Sequence, residues 1–357
     1  MSDIEKLKKD YPWIQTPLIV GAPMRLIALA PLAVEISRAG GIGFIGAGTD
    51  VSSLSSHLQY AQDLLSNLPS PLPSSSDTLP IGVGFINWGA SLSASLPLLQ
   101  TFKPAAVWLF APKSISSLLE WSTEIRRVSP ETKVWVQIGS VVDALSAVKI
   151  IQPDVLVVQG ADAGGHGLVK GAGIVSLFPE VHDAMNELVK SEDVKEPILL
   201  AAGGIVEARG AAAASSLGAC GVVMGTRFLA SKEASIAKGY QDEVLRASDG
   251  GQSTVRTKVY DTVRGTTGWS DAYNARGVVN KSYHDAVAGM TDEENKELYE
   301  QEMKKGDAGW GVDGRMTTYA GTGVGLVREV KSAREIMEEV REGIEGVVER
   351  LVRLVRL

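Results

Sequence analysis

Two stretches decide the fold: PILLAAGG, Pro197 to Gly204, and CGVVMGT, Cys220 to Thr226. Each is a short apolar run ending in glycine, and a helical segment, Val206 to Leu217, lies between them. A parallel strand buried on both faces reads this way, because crossover helices cover both sides of its sheet. Six earlier runs share the pattern: PLIVGAP (Pro17 to Pro23), GIGFIGA (Gly41 to Ala47), LPIGVGF (Leu79 to Phe85), AAVWLF (Ala105 to Phe110), KVWVQIG (Lys133 to Gly139) and DVLVVQG (Asp154 to Gly160). Segments of helical period separate them, among them Ala30 to Ala39, Ser114 to Arg127 and Val141 to Ile151. Strand and helix alternating in this way give a parallel sheet. Eight repeats predict an α/β fold of the closed (β/α)8 TIM barrel type rather than an open sheet.

Two stretches break the rhythm. Pro69 to Pro80 is a Pro/Ser loop, expected at the surface, and Ser191 to Glu196 is a charged connection. After the eighth run Ser231 to Ala247 reads as a helix, and Ser248 to Arg315 is polar, Gly-rich and irregular, with a helical piece near Asp292 to Lys305. That is too long for a connection in a compact domain, so it predicts a C-terminal insertion or cap. A lid over the barrel mouth and a lateral decoration both fit it. The expected organisation is residues 1–231 as barrel, 232–315 as cap or small subdomain, and 316–357 as a return segment with a docked helix. In that helix Ile336, Val340, Ile344, Val347, Val348 and Leu351 fall at helical spacing.

Composition narrows the function. The chain has 357 residues, 45% of them hydrophobic and 22% charged, with a net charge of -7. That suits a soluble barrel and argues against a nucleic-acid partner. The single cysteine, Cys220, cannot form an internal disulfide or a cysteine metal site, and four scattered histidines argue against a metal cluster. The N-terminal stretch lacks an apolar signal core, and no run of apolar residues is long enough to span a bilayer, so a cytoplasmic location and no membrane partner are expected.

The chemistry gathers at strand ends, where barrel enzymes place their active sites. Gly203-Gly204 and Gly225-Thr226 close the seventh and eighth runs, the loops where barrels commonly hold a phosphate on backbone N–H groups. Glycine lets the phosphate approach the backbone, and Thr226 adds a hydroxyl. The sixth run ends in QGADAGGHG, Gln159 to Gly167, which puts His166 at the mouth after two glycines and makes it the candidate catalytic residue. His57, His182 and His284 lie in helices or the late region and read as structural. The first run ends in GAPM, whose backbone at Ala22 and Met24 could contact a flat ring. Asn87 and Gln137 offer amides near the barrel axis, or are buried structural amides. Trp108, Phe110, Trp135 and Trp269 could line an apolar pocket, or belong to the core.

TPLIVGAPM, AGGIGFIGAG, QGADAGGHG, AAGGI, MGTRF and the late YAGTGVG (Tyr319 to Gly325) occur in that order. Together they resemble the nitronate monooxygenase family, also called 2-nitropropane dioxygenase-like flavoproteins. The resemblance implies an FMN-dependent oxidoreductase. Ala22, Pro23 and Met24 would flank the flavin, and Asn87 and Gln137 would approach its ring or ribityl chain. Gly165, Gly203, Gly204, Gly225 and Thr226 would hold the ribityl chain and phosphate, with Gln159, Ala163, Gly164, Ala202 and Met224 completing the cofactor set from the same motifs. His166 would stand over the flavin beside the substrate. The implied reaction is oxidative denitrification of an alkyl nitronate, such as propionate 3-nitronate, with O₂ to a carbonyl compound and nitrite. An NAD(P)H-dependent reductase of enoyl or quinone substrates, or an FMN-binding barrel without turnover, shares many of these residues. The chain departs from the family at Asp162, where Glu is usual, at Gln137, where Lys or Ser is frequent, and at Thr322, where Gln is frequent. Expected partners are a small-molecule substrate and O₂, with a homodimer left open by the late region and the C-terminal helix.

Overall fold

The computed structural model describes residues 2–73 and 77–355; Ser74, Ser75 and Ser76 of the Pro/Ser loop, and the last two residues of the C-terminal segment, lie outside the described residues. Its strands are β1 (Leu18–Gly21), β2 (Phe44–Gly48), β3 (Leu79–Ile86), β4 (Pro104–Phe110), β5 (Lys133–Ile138), β6 (Val155–Gln159), β7 (Gly165–Leu168), β8 (Ile198–Ala202), β9 (Gly221–Met224), β10 (Thr254–Thr257) and β11 (Tyr273–Val278). Eight of them form one parallel sheet in the order β1-β9-β8-β6-β5-β4-β3-β2. The two edges meet at a parallel bridge between Val20 and Ile42, and the Gly21 N–H donates to the Ile42 carbonyl at 3.0 Å. The sheet therefore curls into the (β/α)8 barrel that the eight apolar runs predict.

Alternation along each strand sorts its residues into two layers. Leu18, Val20, Phe44, Ala106, Trp108, Trp135, Val155, Val157, Leu200 and Val223 fill the interior, closed at the foot by Leu7 and Tyr11. Tyr11 and Trp135 meet edge-on, and the Trp135 indole N–H donates to the Tyr11 hydroxyl at 2.8 Å. Residues of opposite parity, such as Ile45, Val83, Phe85, Leu109, Val136, Leu156 and Met224, face the outer helices. Full burial of each such large side chain contributes roughly 1.5–3 kcal/mol.

The outer helices follow the expected segments closely: Ala30–Arg38, Ile115–Val128, Val141–Ile151 and Ala208–Ser216. Serine hydroxyls start two of them, Ser114 accepting from the Ser117 N–H and Ser140 from the Asp143 N–H. The C-terminal helix, Ala333–Val355, buries Ile336, Met337, Val340 and Ile344, whereas Val348 and Leu351 stay exposed. Its docking relies on Gly343, where a Cβ would stand 2.5 Å from the Ala208 Cβ. No helix among the described residues is long and apolar enough to cross a membrane.

The late region is more ordered than its composition suggests. The expected helix from Ser231 begins only at Lys238 (Lys238–Arg246), and the piece near Asp292 is a helix over Asp292–Met303. Two strands also form there, and they recruit a third from the barrel. β10, β11 and β7 make an antiparallel sheet in that order, with His166 of β7 opposite Ala275 of β11. The GGHG stretch has no strand-like alternation of its own; a partner more than a hundred residues away supplies its ladder.

Candidate functional site at the barrel mouth

The glycine-rich strand ends meet. A Cβ on Gly203, whose φ is +103°, would stand 2.8 Å from the Gly160 carbonyl oxygen and 3.2 Å from the Ala163 nitrogen, so the β8 turn nests against the loop after β6. The same loop touches the return segment. Thr322 donates its N–H to the Asp162 carbonyl and its hydroxyl to the Asp162 carboxylate, both at 3.0 Å. Gly164 lies against Ala320 and Gly321, and the Gly321 N–H donates to the Thr226 hydroxyl at 3.0 Å. The Ala22 N–H donates to the Met224 carbonyl at 3.0 Å, joining the GAPM loop to the end of β9. Gln159, Ala163, Gly164, Gly165, His166, Ala202, Gly203, Gly204, Met224, Gly225, Thr226, Ala22, Pro23 and Met24 thus surround one end of the barrel.

A cavity opens there, lined by Pro23, Arg25, Gly46, Gly84, Trp108, Phe110 and Gln137 among others. Parity explains its lining. Gln137 follows inward-facing Trp135 by two positions, and its side-chain oxygen accepts from the Trp108 indole N–H at 3.0 Å. Asn87 follows the end of β3; its side-chain oxygen accepts from the Ser117 hydroxyl at 3.2 Å, and its buried Nδ2 has no partner among the described residues. Of the four aromatic candidates, Trp108 and Phe110 line the cavity, Trp135 is buried toward the foot, and Trp269 covers the histidine.

His166 is held from three sides. Its Nε2 lies 2.9 and 3.0 Å from the two carboxylate oxygens of buried Asp261. A carboxylate only accepts, so Nε2 is the donor in this contact and Nδ1 remains outside it. Asp261 also accepts from the Thr266 hydroxyl at 2.8 Å. Trp269 stacks on the imidazole at 3.6 Å between centroids with an interplanar angle of 8°, and Tyr319 approaches edge-on at 5.8 Å. Burial raises the Tyr319 phenol well above its ordinary range, so it stays a neutral hydroxyl. Phe110 on the cavity wall lies 5.9 Å from Trp269, which links the cavity to the histidine.

Arg256 fixes the loop beneath. Its guanidinium donates to the carbonyls of Gly165, Asn274, Ala161 and Ala163 at 2.6–3.2 Å. Burial, then the neighbouring Arg276 charge, pushes its pKa down to about 10, still cationic at neutral pH. The sequence reading missed Asp261, Thr266, Arg256 and Tyr319 as site residues. No motif surrounds the first three; Tyr319 heads YAGTGVG, a stretch that carries the family resemblance.

The mouth suits a phosphate-bearing flat ligand. Among the described residues no acceptor takes the backbone N–H of Gly203, Gly204 or Gly225. At Gly225 a Cβ would fill the gap between the Ala22 Cβ, 3.5 Å away, and the Met24 sulfur, 3.8 Å away; at Gly165 it would meet nothing within 4 Å.

Comparison with known proteins places the chain. A family model described as nitronate monooxygenase matches residues 122–343. A Metarhizium robertsii protein named nitronate monooxygenase npaC is 46% identical over 351 residues, covering 98% of this chain and 96% of that one. A Neurospora crassa nitronate monooxygenase is 37% identical, covering 95% and 92%. Among solved structures, FabK from Thermotoga maritima aligns with a TM-score of 0.73 at 22% identity, covering 98% of both chains. A nitroalkane oxidase from Streptomyces ansochromogenes aligns at 0.71 and 22%, covering 94% and 98%. At such identities the structural matches speak to the fold alone.

Proposed function

The chain belongs to the nitronate monooxygenase family, an enzyme family of oxidoreductases, and we propose that it oxidises alkyl nitronates with FMN and O₂ to a carbonyl compound and nitrite. The observation that carries this reading is His166, fixed by Asp261 with Nδ1 left over, beside a glycine-lined mouth with unused N–H groups. FMN, when bound, supplies the electron transfer between nitronate and O₂. The backbone of Gly203, Gly204, Gly225 and Thr226 would hold its phosphate, and Ala22, Pro23, Met24 and Gln137 its ring.

His166 binds the substrate. With Nε2–H committed to Asp261, a protonated Nδ1 donates to a nitronate oxygen, and an unprotonated Nδ1 takes a proton from a nitroalkane carbon. Asp261 stabilises the imidazolium without itself changing hands with a proton. Trp269 shields one imidazole face from water, and a cation beneath an indole is further stabilised by about 0.5–2 kcal/mol. Residues 232–315 act as the cap, since they bring Asp261 and Trp269 over the mouth.

Nitrite release from propionate 3-nitronate by the FMN-loaded protein tests the reading. Steady turnover that H166A loses is expected; absence of nitrite from a fully flavin-loaded sample refutes it.

A further inference from the structure

Arg25 is the one charged residue lining the mouth cavity among the described residues, whose other lining residues there are Pro, Gly, Phe, Ile, Trp and Gln. It follows Met24 directly, in the loop between β1 and the helix Ala30–Arg38. Its guanidinium has no hydrogen bond and no carboxylate within salt-bridge distance among the described residues. Asp50 senses its charge, but the Asp50 carboxylate is held low chiefly by the N–H and hydroxyl of Ser52, with Arg25 the smallest contribution.

Arg25 is exposed and stands between the mouth cavity and a neighbouring pocket that Asp50 and His57 also line, and two backbone features fix its stem. Leu26, a non-glycine residue that is itself exposed, sits at φ 66°, a strained turn that persists only where the surroundings impose it. Gly48 leaves room for the stem: a Cβ there would stand 2.6 Å from the Arg25 Cδ and 3.1 Å from its Nε. Guanidinium is always protonated and donates in a fixed planar fork, so a cation brought to an acid-free cavity and left without an acceptor selects for negative charge on what enters.

We propose that Arg25 sets the charge of the mouth, stabilising the flavin ring more in its reduced, anionic state than in its neutral oxidised state. This rests on the flavin reading above and assigns a residue to its electrostatics. Gln137 contributes only a neutral amide on the same wall, committed through its oxygen to Trp108.

The test uses the full-length FMN-loaded protein with R25Q and R25K. Two quantities are read: the two-electron midpoint potential by dye equilibration, and the dissociation constant for sulfite, an anion that adds to electron-poor flavins. R25Q is expected to weaken the preference for reduced over oxidised flavin about tenfold, which for two electrons is about 30 mV more negative. Sulfite affinity should fall by a similar factor, and R25K should restore most of both. Loss of FMN in R25Q but not in R25K would make Arg25 a holder of the oxidised cofactor and overturns the redox-selective assignment. An unchanged potential and sulfite affinity in R25Q overturns it, as does equal loss of FMN in both variants, which would mark a role of shape rather than charge. A parent protein that takes up no flavin sinks the functional reading itself, and so differs from either result.

Discussion

Asp261→Asn is the sharpest perturbation of the proposed chemistry. The substitution keeps the shape of a buried side chain in the helix Val259–Arg264 but removes its charge. At present one carboxylate accepts from His166 Nε2 at 2.9 and 3.0 Å and from the Thr266 hydroxyl at 2.8 Å. Both donors reach Oδ1, so an amide oxygen at that position can still accept from both, but as a neutral acceptor without the carboxylate's charge. If the NH₂ faces His166, Nε2 must give up its proton and Nδ1 must carry one, so the imidazole presents the wrong tautomer. A hydrogen bond to a charged partner contributes about 1.5–3 kcal/mol. At tenfold in rate per about 1.4 kcal/mol, kcat/KM for nitronate oxidation should fall roughly ten- to hundredfold. Asp261 lies outside the residues assigned to the flavin, so FMN content and melting temperature should stay close to those of the parent. Steady-state nitrite release in the D261N, H166A and D261N/H166A proteins reads the outcome. Because Asp261 is a positioning residue that acts through His166, its effect must disappear in the H166A background. A D261N enzyme within twofold of the parent, or a D261N effect undiminished without His166, would refute the reasoning.

Two further predictions separate folding from ligand binding. Gly203→Ala puts a Cβ against the Gly160 carbonyl at a φ of +103°, and should lower the melting temperature by several degrees, whereas Gly225→Ala, whose Cβ meets nothing closer than 3.5 Å, should fold normally yet bind FMN at least tenfold more weakly; thermal melts and flavin titration distinguish them. Burial pushes the Cys220 thiol up to about 11, so the folded protein should react with iodoacetamide at pH 8 about a hundredfold more slowly than the unfolded chain. The folded state keeps a proton that the unfolded state releases, so this group's contribution to stability is intact below pH 9 and is lost as pH rises toward 11, which denaturant titrations at pH 8 and pH 10 would show.

The barrel was legible because its signal is local. Each strand is a run of four to eight apolar residues, and each following helix keeps its own period, so spacing alone counted the strands and located their ends. The glycine pairs were legible for the same reason: position at a strand end and chemistry of the residue coincide at Gly203-Gly204 and Gly225-Thr226. Counting parity adds the layer that a strand residue faces: Gly82 and Gly84 of β3 meet Phe44 and Pro23, which puts Val83 and Phe85 on the helix side. Arg25 escaped notice because a lone exposed arginine after a proline-containing turn carries no pattern; only the acid-free cavity beside it gives it meaning.

Asp261 was out of reach for a deeper reason. It stands 95 residues from His166, in a helix whose sequence, VYDTVR, looks like any other. The pair forms because β7 leaves the barrel layer and joins β10 and β11, so the histidine belongs to two units at once. The barrel and the return segment fix the loop before it, through Gly203 against Gly160 and Thr322 on Asp162. The late region fixes the histidine itself, through Ala275, Asp261 and Trp269, and Arg256 ties both to the carbonyls of Ala161, Ala163 and Gly165. A displacement of the late sheet would therefore carry His166 with it while leaving the glycine turns of β8 and β9 where they are. On the proposed reading, flavin retention and turnover should then respond separately to damage: loosening β10 or β11 costs the histidine its tautomer and its shield, and the backbone proposed to hold the phosphate is untouched.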